Sequence, residues 1–530
     1  MNSEATSWQS LGHLLHEQAS RFGNRTLFRF EGTDMTFAQA EEETNRLAHV
    51  LLAHGIGKGV HVAVLLPNSL DFPLAWLAIA KAGAVMVPVN TQYQEHDLSY
   101  ILSDSEAQLV LTDAAHASLL QQVRPACPRL RAIGIFAEAD SILAGTFDVR
   151  QEMAAASAAY PDVQVDPADL LNVQYTSGTT GFPKGCMLTH EYWLLLGQLV
   201  AEYLALREDD VNLTAQPFYY MDPQWNVALC LLAGIPLVIL PRFSASTFWK
   251  AIKENEVSFF YLLGTMPMYL LKQPENPELE QRHRLRVVLC SGIVPQLHAL
   301  YEQRWNVPWR EAYGTTESGA DLFVPLDDAE SVGSGAMGKP VRTKEARVID
   351  PQVQELADGE IGELVVCGKP MMQGYYHKPD ATAEKLRDGW LHSGDLVFRD
   401  AKGYYHLVGR LKDMIRRSGE NIAASEVEAV LCEHPQVRAA AVVPEPDDLR
   451  GEEVRAFIQL QPGETPASAP PQTLIDFTRG KLAAFKVPRF ITYVESFPLT
   501  PSERIAKHKL LESSREDHQP TYDALSQTWR

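Results

Sequence analysis

The chain has 530 residues, 45% hydrophobic and 22% charged, enough for several subdomains with large cores. A formal net charge of −20 argues against a nucleic-acid binder, whose surface should be basic. The six cysteines (Cys127, Cys186, Cys230, Cys290, Cys367, Cys432) are scattered with no Cys-x-x-Cys pair, which points to reduced thiols, a cytoplasmic setting and no zinc site.

Residues 1–17 are acidic and polar where a secretory signal needs a basic start and an apolar run, so none is expected. Helical spacing of apolar residues over 36–54 leads into a short apolar strand at 61–66. A second helix over 71–83 and a second buried strand at 85–89 follow, with further strands at 108–112 and 129–136. This alternation predicts a parallel sheet with helices on both faces. It resumes with a strand at 170–175, helices at 191–206, 246–254 and 295–304, and strands at 237–240, 259–263 and 287–289. The longest apolar run, 227–240, is too short to cross a bilayer and is broken by Gly234 and Pro236. From Gly333 the texture changes to short strands (347–349, 362–367, 404–408) with frequent Gly, Pro and Asp, which fits a small barrel-like β-unit. Beyond Arg410 the pattern is α+β, with helices at 424–433 and 471–482 and strands at 437–443 and 454–460. Residues 512–530 read as a polar surface tail.

The densest chemistry lies directly after the strand at 170–175, in Thr176-Ser177-Gly178-Thr179-Thr180-Gly181-Phe182-Pro183-Lys184-Gly185. Glycines free the backbone to close on an anion, hydroxyls add donors, and Lys184 adds a mobile positive charge; together they suit a polyphosphate. The spacing is not that of Walker A, which needs Gly-Lys-Ser/Thr in succession. This run resembles the signature loop of the adenylate-forming superfamily, which includes acyl-CoA synthetases, luciferases and the adenylation domains of peptide synthetases. The resemblance implies that the loop holds ATP phosphates while a carboxylate attacks the α-phosphorus. Lys184 and Thr180 would be catalytic, and Lys184 should stand exposed on the loop.

Further motifs resemble the same superfamily in register. Tyr313-Gly314-Thr315-Thr316-Glu317 is similar to its aromatic-Gly-x-Thr-Glu motif, which lines the adenine and acyl sites; Glu317 is then a Mg²⁺ ligand beside the triphosphate. Trp390-Leu391-His392-Ser393-Gly394-Asp395 and Gly409-Arg410-Leu411-Lys412-Asp413 resemble two more. They imply that Asp395 accepts the ribose hydroxyls, that Arg410 pairs with phosphate or ribose, and that Lys412 is a hinge. The chain would divide into 1–411, holding the ATP and acyl sites, and a mobile 412–530. Ser418, Gly419 and Glu420 resemble the loop lining the pantetheine tunnel, with Ala424 where a proline is usual. Tyr220, Met221, Asp222, Trp225 and Ser291-Gly292-Ile293 are the expected acyl-pocket wall, with Ser291 and Gly292 also expected at the ATP/AMP site. Tyr220 stands where many relatives have a gating histidine, and Asp222 hints at a polar or cationic group on the substrate. The Met221-Asp222 pair, residues 82–90 and Ser246-Thr247-Phe248-Trp249 lean toward acyl-CoA synthetases of the crotonobetaine/carnitine-CoA ligase type.

One segment departs from the pattern. Pro498-Leu499-Thr500-Pro501-Ser502-Glu503-Arg504-Ile505 aligns with P-x-T-P-S-G-K-[IV], so Arg504 stands where the superfamily's catalytic lysine stands. Guanidinium keeps the charge but is larger, planar and more weakly hydrated; Lys507 and Lys509 lie close by as substitutes. The expected fold is α/β: two α/β subdomains plus a small β-barrel-like subdomain, then a small mobile α+β domain. The expected function is ATP-dependent carboxylate–CoA ligation through acyl-AMP, with ATP, Mg²⁺ and coenzyme A as cofactors. A small carboxylic acid and coenzyme A are the partners, with no nucleic acid and no membrane span, and a homodimer is admitted. The alternatives are transfer to an amine or a carrier-protein thiol, and a catalytically degenerate nucleotide- or CoA-binding homologue.

Overall fold

Runs of β-branched and aliphatic residues without polar alternation, such as His61–Leu65 and Val85–Pro88, form strands buried on both faces, as parallel sheets require. The structure, a computed structural model, describes residues 8–136, 145–176, 183–417, 420–447, 450–499, 505–507, 509–510 and 519–530. The fold is a large N-terminal α/β part with mixed sheets followed by a smaller α+β part. By internal packing the chain forms two units, Met1–Ala346 with Val366–Leu391, and Arg347–Val365 with His392–Arg530.

The first unit contains two sheets. One runs in the order Phe147–Asp148, Ala132–Phe136, Leu109–Asp113, His61–Leu65, Val85–Pro88, Leu170–Thr176, Lys184–Thr189. It is parallel up to Leu170–Thr176, which turns back as an antiparallel hairpin onto Lys184–Thr189. The other sheet carries Trp309–Thr315, Val287–Ser291, Phe259–Leu263, Asn212–Thr214, Leu237–Ile239 and Thr26–Phe30 as consecutive parallel neighbours. Gly319–Phe323 and Ala336–Pro340 extend it antiparallel beyond Trp309–Thr315. Each sheet has its own apolar core, one around Val87, Val110 and Ile133, the other around Phe260, Trp305 and Trp309.

Local chemistry sets the helix ends. Phe37–Ala53 starts on a capping box, the Thr36 hydroxyl accepting from Gln39 N–H and the Gln39 side chain accepting from Thr36 N–H. His190–Tyr203 is capped by Thr189. Met221–Ala233 ends at Gly234, left-handed at φ 69°, where a Cβ would come within 2.2 Å of the Phe22 ring. This helix begins inside the segment that the sequence reading treated only as a pocket wall. Among the described residues no helix is long and apolar enough to cross a membrane.

In the second unit, Trp390–Arg399 pairs antiparallel with Tyr405–Arg410. A further sheet runs Glu420–Ala423, Met414–Arg417, Gly451–Leu460, Phe490–Tyr493, Thr521–Asp523, Thr528–Trp529, with Val437–Asp447 also on Gly451–Leu460. Ala424–Cys432 and Pro471–Arg479 are its helices, and Val427, Leu431, Leu474 and Ile475 pack into its core. The expectation of a polar tail over 512–530 is corrected for its end. Thr521–Asp523 joins the sheet edge beside Phe490–Tyr493, and Tyr522 is buried with its ring 5.7 Å from Trp529. Strands this short leave no readable periodicity.

Glu453, fully buried, meets three guanidiniums: Arg417 at 2.7 Å, Arg450 at 3.0 Å and Arg489 at 3.4 Å. Burial lowers the Arg417 pKa, and the Glu453 charge opposes that shift. Glu453→Ala leaves the buried Arg417 without its carboxylate partner, while Arg489 keeps Asp447 and Asp523, and is expected to destabilise the fold by about 3 kcal/mol. Denaturant unfolding monitored by circular dichroism measures this; an unchanged midpoint would mean the arginines are satisfied without Glu453.

Candidate active site

The hairpin register sets Thr176 opposite Lys184, and the Thr176 hydroxyl lies 3.5 Å from the Lys184 carbonyl. The loop between them, with Ser177, Gly178, Thr179, Thr180 and Gly181, lies outside the described residues. Lys184 differs from expectation: it is the first residue of its strand and is half-buried. Its ammonium stands 5.4 Å from the ring centroid of Tyr375, within cation–π range. Tyr375 arrives because residues 373–376 lie along the hairpin strand. Gln373 N–H donates to Met187 O, Met187 N–H to Gly374 O, and Tyr376 N–H to Gly185 O.

The Tyr375 hydroxyl donates to Glu317 Oε1 at 2.7 Å, and Met372 N–H donates to Glu317 O at 2.7 Å. Burial, reinforced by Glu317, pushes the Tyr375 phenol far above its ordinary range and keeps it a neutral donor. Lys184 and Glu317, expected on the phosphate loop and beside the triphosphate, are therefore joined through one aromatic residue. The sequence reading missed Tyr375; its only signal was the Gly374-Tyr375-Tyr376 step in a stretch without periodicity.

A cavity of about 60 Å³ lies in the first unit. The first turns of the helix Met221–Ala233 supply Met221, Asp222 and Trp225 to its wall; Ser291, Tyr313 and Gly314 come from the ends of neighbouring strands. Asp222, in the first turn, sits where the helix dipole favours negative charge. Trp225 packs edge-on against Tyr261 at 5.5 Å, and the Tyr261 hydroxyl donates to Ser291 Oγ at 2.8 Å. Ser291 donates in turn to Ala312 O. Gly314 admits no side chain, because a Cβ there would stand 1.9 Å from Gly319 O. Tyr220, the residue before the helix, and Ile293 are not among the residues lining this cavity.

Ile293 and Gly292 serve another contact. Both oxygens of buried Glu311 accept backbone N–H bonds, from Gly292 at 2.6 Å and from Ile293 at 2.7 Å. Glu311 thereby pins the loop that follows Ser291, where Gly292 holds φ 86°. Burial pushes the Glu311 carboxyl up to about 8, opposed by the two N–H bonds. Sequence reasoning passed over Glu311; its signal was an acidic residue inside an otherwise buried strand.

In the second unit, Asp395 and Arg410 face each other on paired strands, with Arg410 Nε 2.6 Å from Asp395 Oδ1. Asp395 is only 2% exposed. Glu363 shapes the approach to it, accepting from Gly394 N–H at 3.0 Å and pairing with His392 at 2.9 Å. Lys412 lies in the turn Leu411–Asp413. The side chains of Lys412 and Glu420, and Ser418, Gly419 and Arg504 entirely, lie outside the described residues. Lys507, the expected substitute for Arg504, is engaged by Glu428 at 2.7 Å and Asp413 at 3.7 Å. Among the described residues no three His, Cys, Asp or Glu side chains gather to hold a metal.

Comparison with known proteins gives a consistent picture. The family described as AMP-binding enzyme matches residues 15–376, and that described as AMP-binding enzyme C-terminal domain matches residues 426–504. A crotonobetaine/carnitine–CoA ligase of Citrobacter koseri is 32% identical over 517 residues, 95% of this chain and 99% of its own. Its counterpart in Proteus mirabilis is 31% identical over 518 residues, with the same 95% and 99% coverage. The crystal structure of the anthranilate CoA ligase AuaEII with anthranoyl-AMP matches with a TM-score of 0.87 at 26% identity, covering 98% of this chain and 100% of that one. ATP-bound MatB from Rhodopseudomonas palustris matches with a TM-score of 0.86 at 26% identity, over 96% and 100% of the two chains.

Glu311 gives the site a pH signature. The folded chain holds this proton up to about 8, whereas an unfolded carboxyl releases it near 4.5. The folded state then binds more protons between those values, so its stabilising contribution is full below about 4.5 and is lost as pH rises through about 8. Glu311→Gln does not titrate and is expected to flatten that part of the stability profile. Equal slopes for both proteins in denaturant titrations would show that Glu311 is ionised throughout.

Proposed function

The chain belongs to the AMP-binding enzyme family as an ATP-dependent carboxylate–CoA ligase that works through an acyl-adenylate, and we propose that its substrate is a small carboxylic acid bearing a cationic or hydrogen-donating group. The observation that carries this reading is Asp222 in the wall of a cavity of about 60 Å³ that it shares with Trp225, Tyr261 and Tyr313. A carboxylate among aromatic faces favours a cation, and it costs free energy to bury one opposite a plain alkyl chain. The small volume favours a short acyl group. The names of the curated relatives, crotonobetaine/carnitine–CoA ligases, point the same way.

In the first half-reaction the acid's carboxylate oxygen attacks the α-phosphorus, and the bond to pyrophosphate breaks. Pyrophosphate leaves with the bonding electrons. In the second half-reaction the coenzyme A thiolate attacks the acyl carbonyl, a C–S bond forms, and AMP leaves. We assign the phosphates to Thr176, residues 177–181 and Lys184, the nucleoside to Tyr313–Thr316, and the ribose hydroxyls to Asp395 with Arg410. Glu317 has one oxygen engaged by Tyr375 and, among the described residues, stands in no cluster of three His, Cys, Asp or Glu side chains, a set that fits Mg²⁺ arriving with phosphate oxygens. When bound, that ion would offset the phosphate charge. Arg504 would stabilise the charge developing on the α-phosphoryl group. Residues 412–530 would turn about Lys412 between the half-reactions, bringing residues 418–420 to the pantetheine arm.

Pyrophosphate release measured over a panel of carboxylic acids, with coenzyme A present, tests the substrate reading. Short acids with an ammonium or donor group are expected to be preferred over neutral isosteres, and Asp222→Asn is expected to reduce that preference about tenfold or more. An unaltered preference in Asp222→Asn would remove Asp222 from substrate choice.

The role of Arg504 separates by half-reaction. Arg504→Ala is expected to slow acyl-AMP formation by about a hundredfold or more while sparing thioester formation from supplied acyl-AMP. If Lys507→Ala instead showed the adenylation loss and Arg504→Ala did not, the role would pass to that lysine.

A further inference from the structure

Behind the Tyr313–Glu317 motif lies an ion pair that the substrate chemistry does not use. The side chains of Lys344 and Asp321 are both fully buried, with Nζ and Oδ1 3.4 Å apart. Burial pushes the Asp321 carboxyl up and the Lys344 amine down, each shift opposed by the partner. Such a pair adds little net stability, since each ion loses its hydration. Its value lies in direction: a buried ammonium must place several donors on fixed acceptors.

On one side, Asp321 Oδ2 accepts from Ser318 Oγ, which lies 2.8 Å from Thr315 Oγ1. A hydroxyl has one proton. Ser318 gives its proton to Asp321, so Thr315 must give its own to Ser318. Thr315 is thereby fixed in one rotamer and turns only acceptor lone pairs away from the relay. On the other side, Lys344 Nζ donates to Gly368 O at 3.1 Å and to Pro370 O. Lys344 thus grips the start of the segment whose Met372 N–H and Tyr375 hydroxyl hold Glu317.

We propose that Lys344 is a positioning residue for adenylation, acting through Asp321 and Ser318 on Thr315 and through residues 368–375 on Glu317. It touches no reacting atom; it aligns the two ends of the Thr315-Thr316-Glu317 turn from behind. This rests on the assignment of that turn to the nucleotide and phosphate site.

The test compares ATP-dependent pyrophosphate release with folding stability in four variants of the full chain. Lys344→Met is expected to lower kcat/KM for ATP about tenfold or more and to lower the melting temperature by leaving Asp321 unpaired. The double variant Lys344→Met, Asp321→Asn removes both charges; it is expected to regain stability but not ATP kinetics. Ser318→Ala leaves the ion pair whole, so it is expected to melt close to wild type while losing about fivefold or more in kcat/KM for ATP. Glu317→Gln reports on the underlying assignment. If Glu317→Gln is impaired while the double variant and Ser318→Ala keep wild-type kinetics, the pair is only structural and the proposal is overturned. If Glu317→Gln itself handles ATP normally, the assignment of the turn falls, and the proposal with it.

Discussion

The hydrogen bond from Tyr375 to Glu317 is a contact that ties the two sheets of the first unit together beside Lys184. A single side chain sits under the Lys184 ammonium, donates to the Glu317 carboxylate, and belongs to a segment bonded along the Lys184–Thr189 strand. Lys184 comes from one sheet and Glu317 follows a strand of the other. Neither sheet alone fixes the distance between them. Residues 373–376 do, because backbone bonds set their register on the hairpin.

Each unit also buries ionisable groups of its own. Glu311 spends both oxygens on two consecutive backbone N–H groups, Asp321 faces Lys344, and Glu453 faces three arginines. Replacing such groups with apolar residues would generally stabilise a core as well or better. What they contribute is geometry, since each fixes its partners through directional hydrogen bonds. Two of these groups flank the stretch that carries the cavity wall and the Thr315-Thr316-Glu317 turn.

The motifs were legible in the sequence because their chemistry is local. A loop rich in hydroxyls and glycine with one lysine, and a carboxylate after Ser-Gly, speak through composition and spacing alone. Lys184, Glu317, Asp395 and Arg410 are therefore legible in the sequence alone, and the last two stand opposite each other in register. Tyr375 and Glu311 were not legible, because their importance arises from partners far along the chain. The same holds for the parallel pairing of Thr26–Phe30 with Leu237–Ile239. Repeating strand and helix patterns gave the fold class, but not that the N-terminal strand belongs to the second sheet. The terminal strands escaped because Thr521–Asp523 is too short to show alternation.

The helix Met221–Ala233 has a consequence for how the protein can change. Met221, Asp222 and Trp225 lie in the first two turns of this helix, whereas the rest of the cavity wall includes Gly314 and Gly319. Backbone and glycine leave little for substitution to alter, and Gly314 has no room for any side chain. The start of this helix is therefore one place where substitution can reshape the cavity, alongside side chains such as Leu196, Val200 and Phe323 from other elements. Substitution at those side chains can alter the cavity while the bonds that hold Tyr375 to Glu317 and to the hairpin strand stay in place.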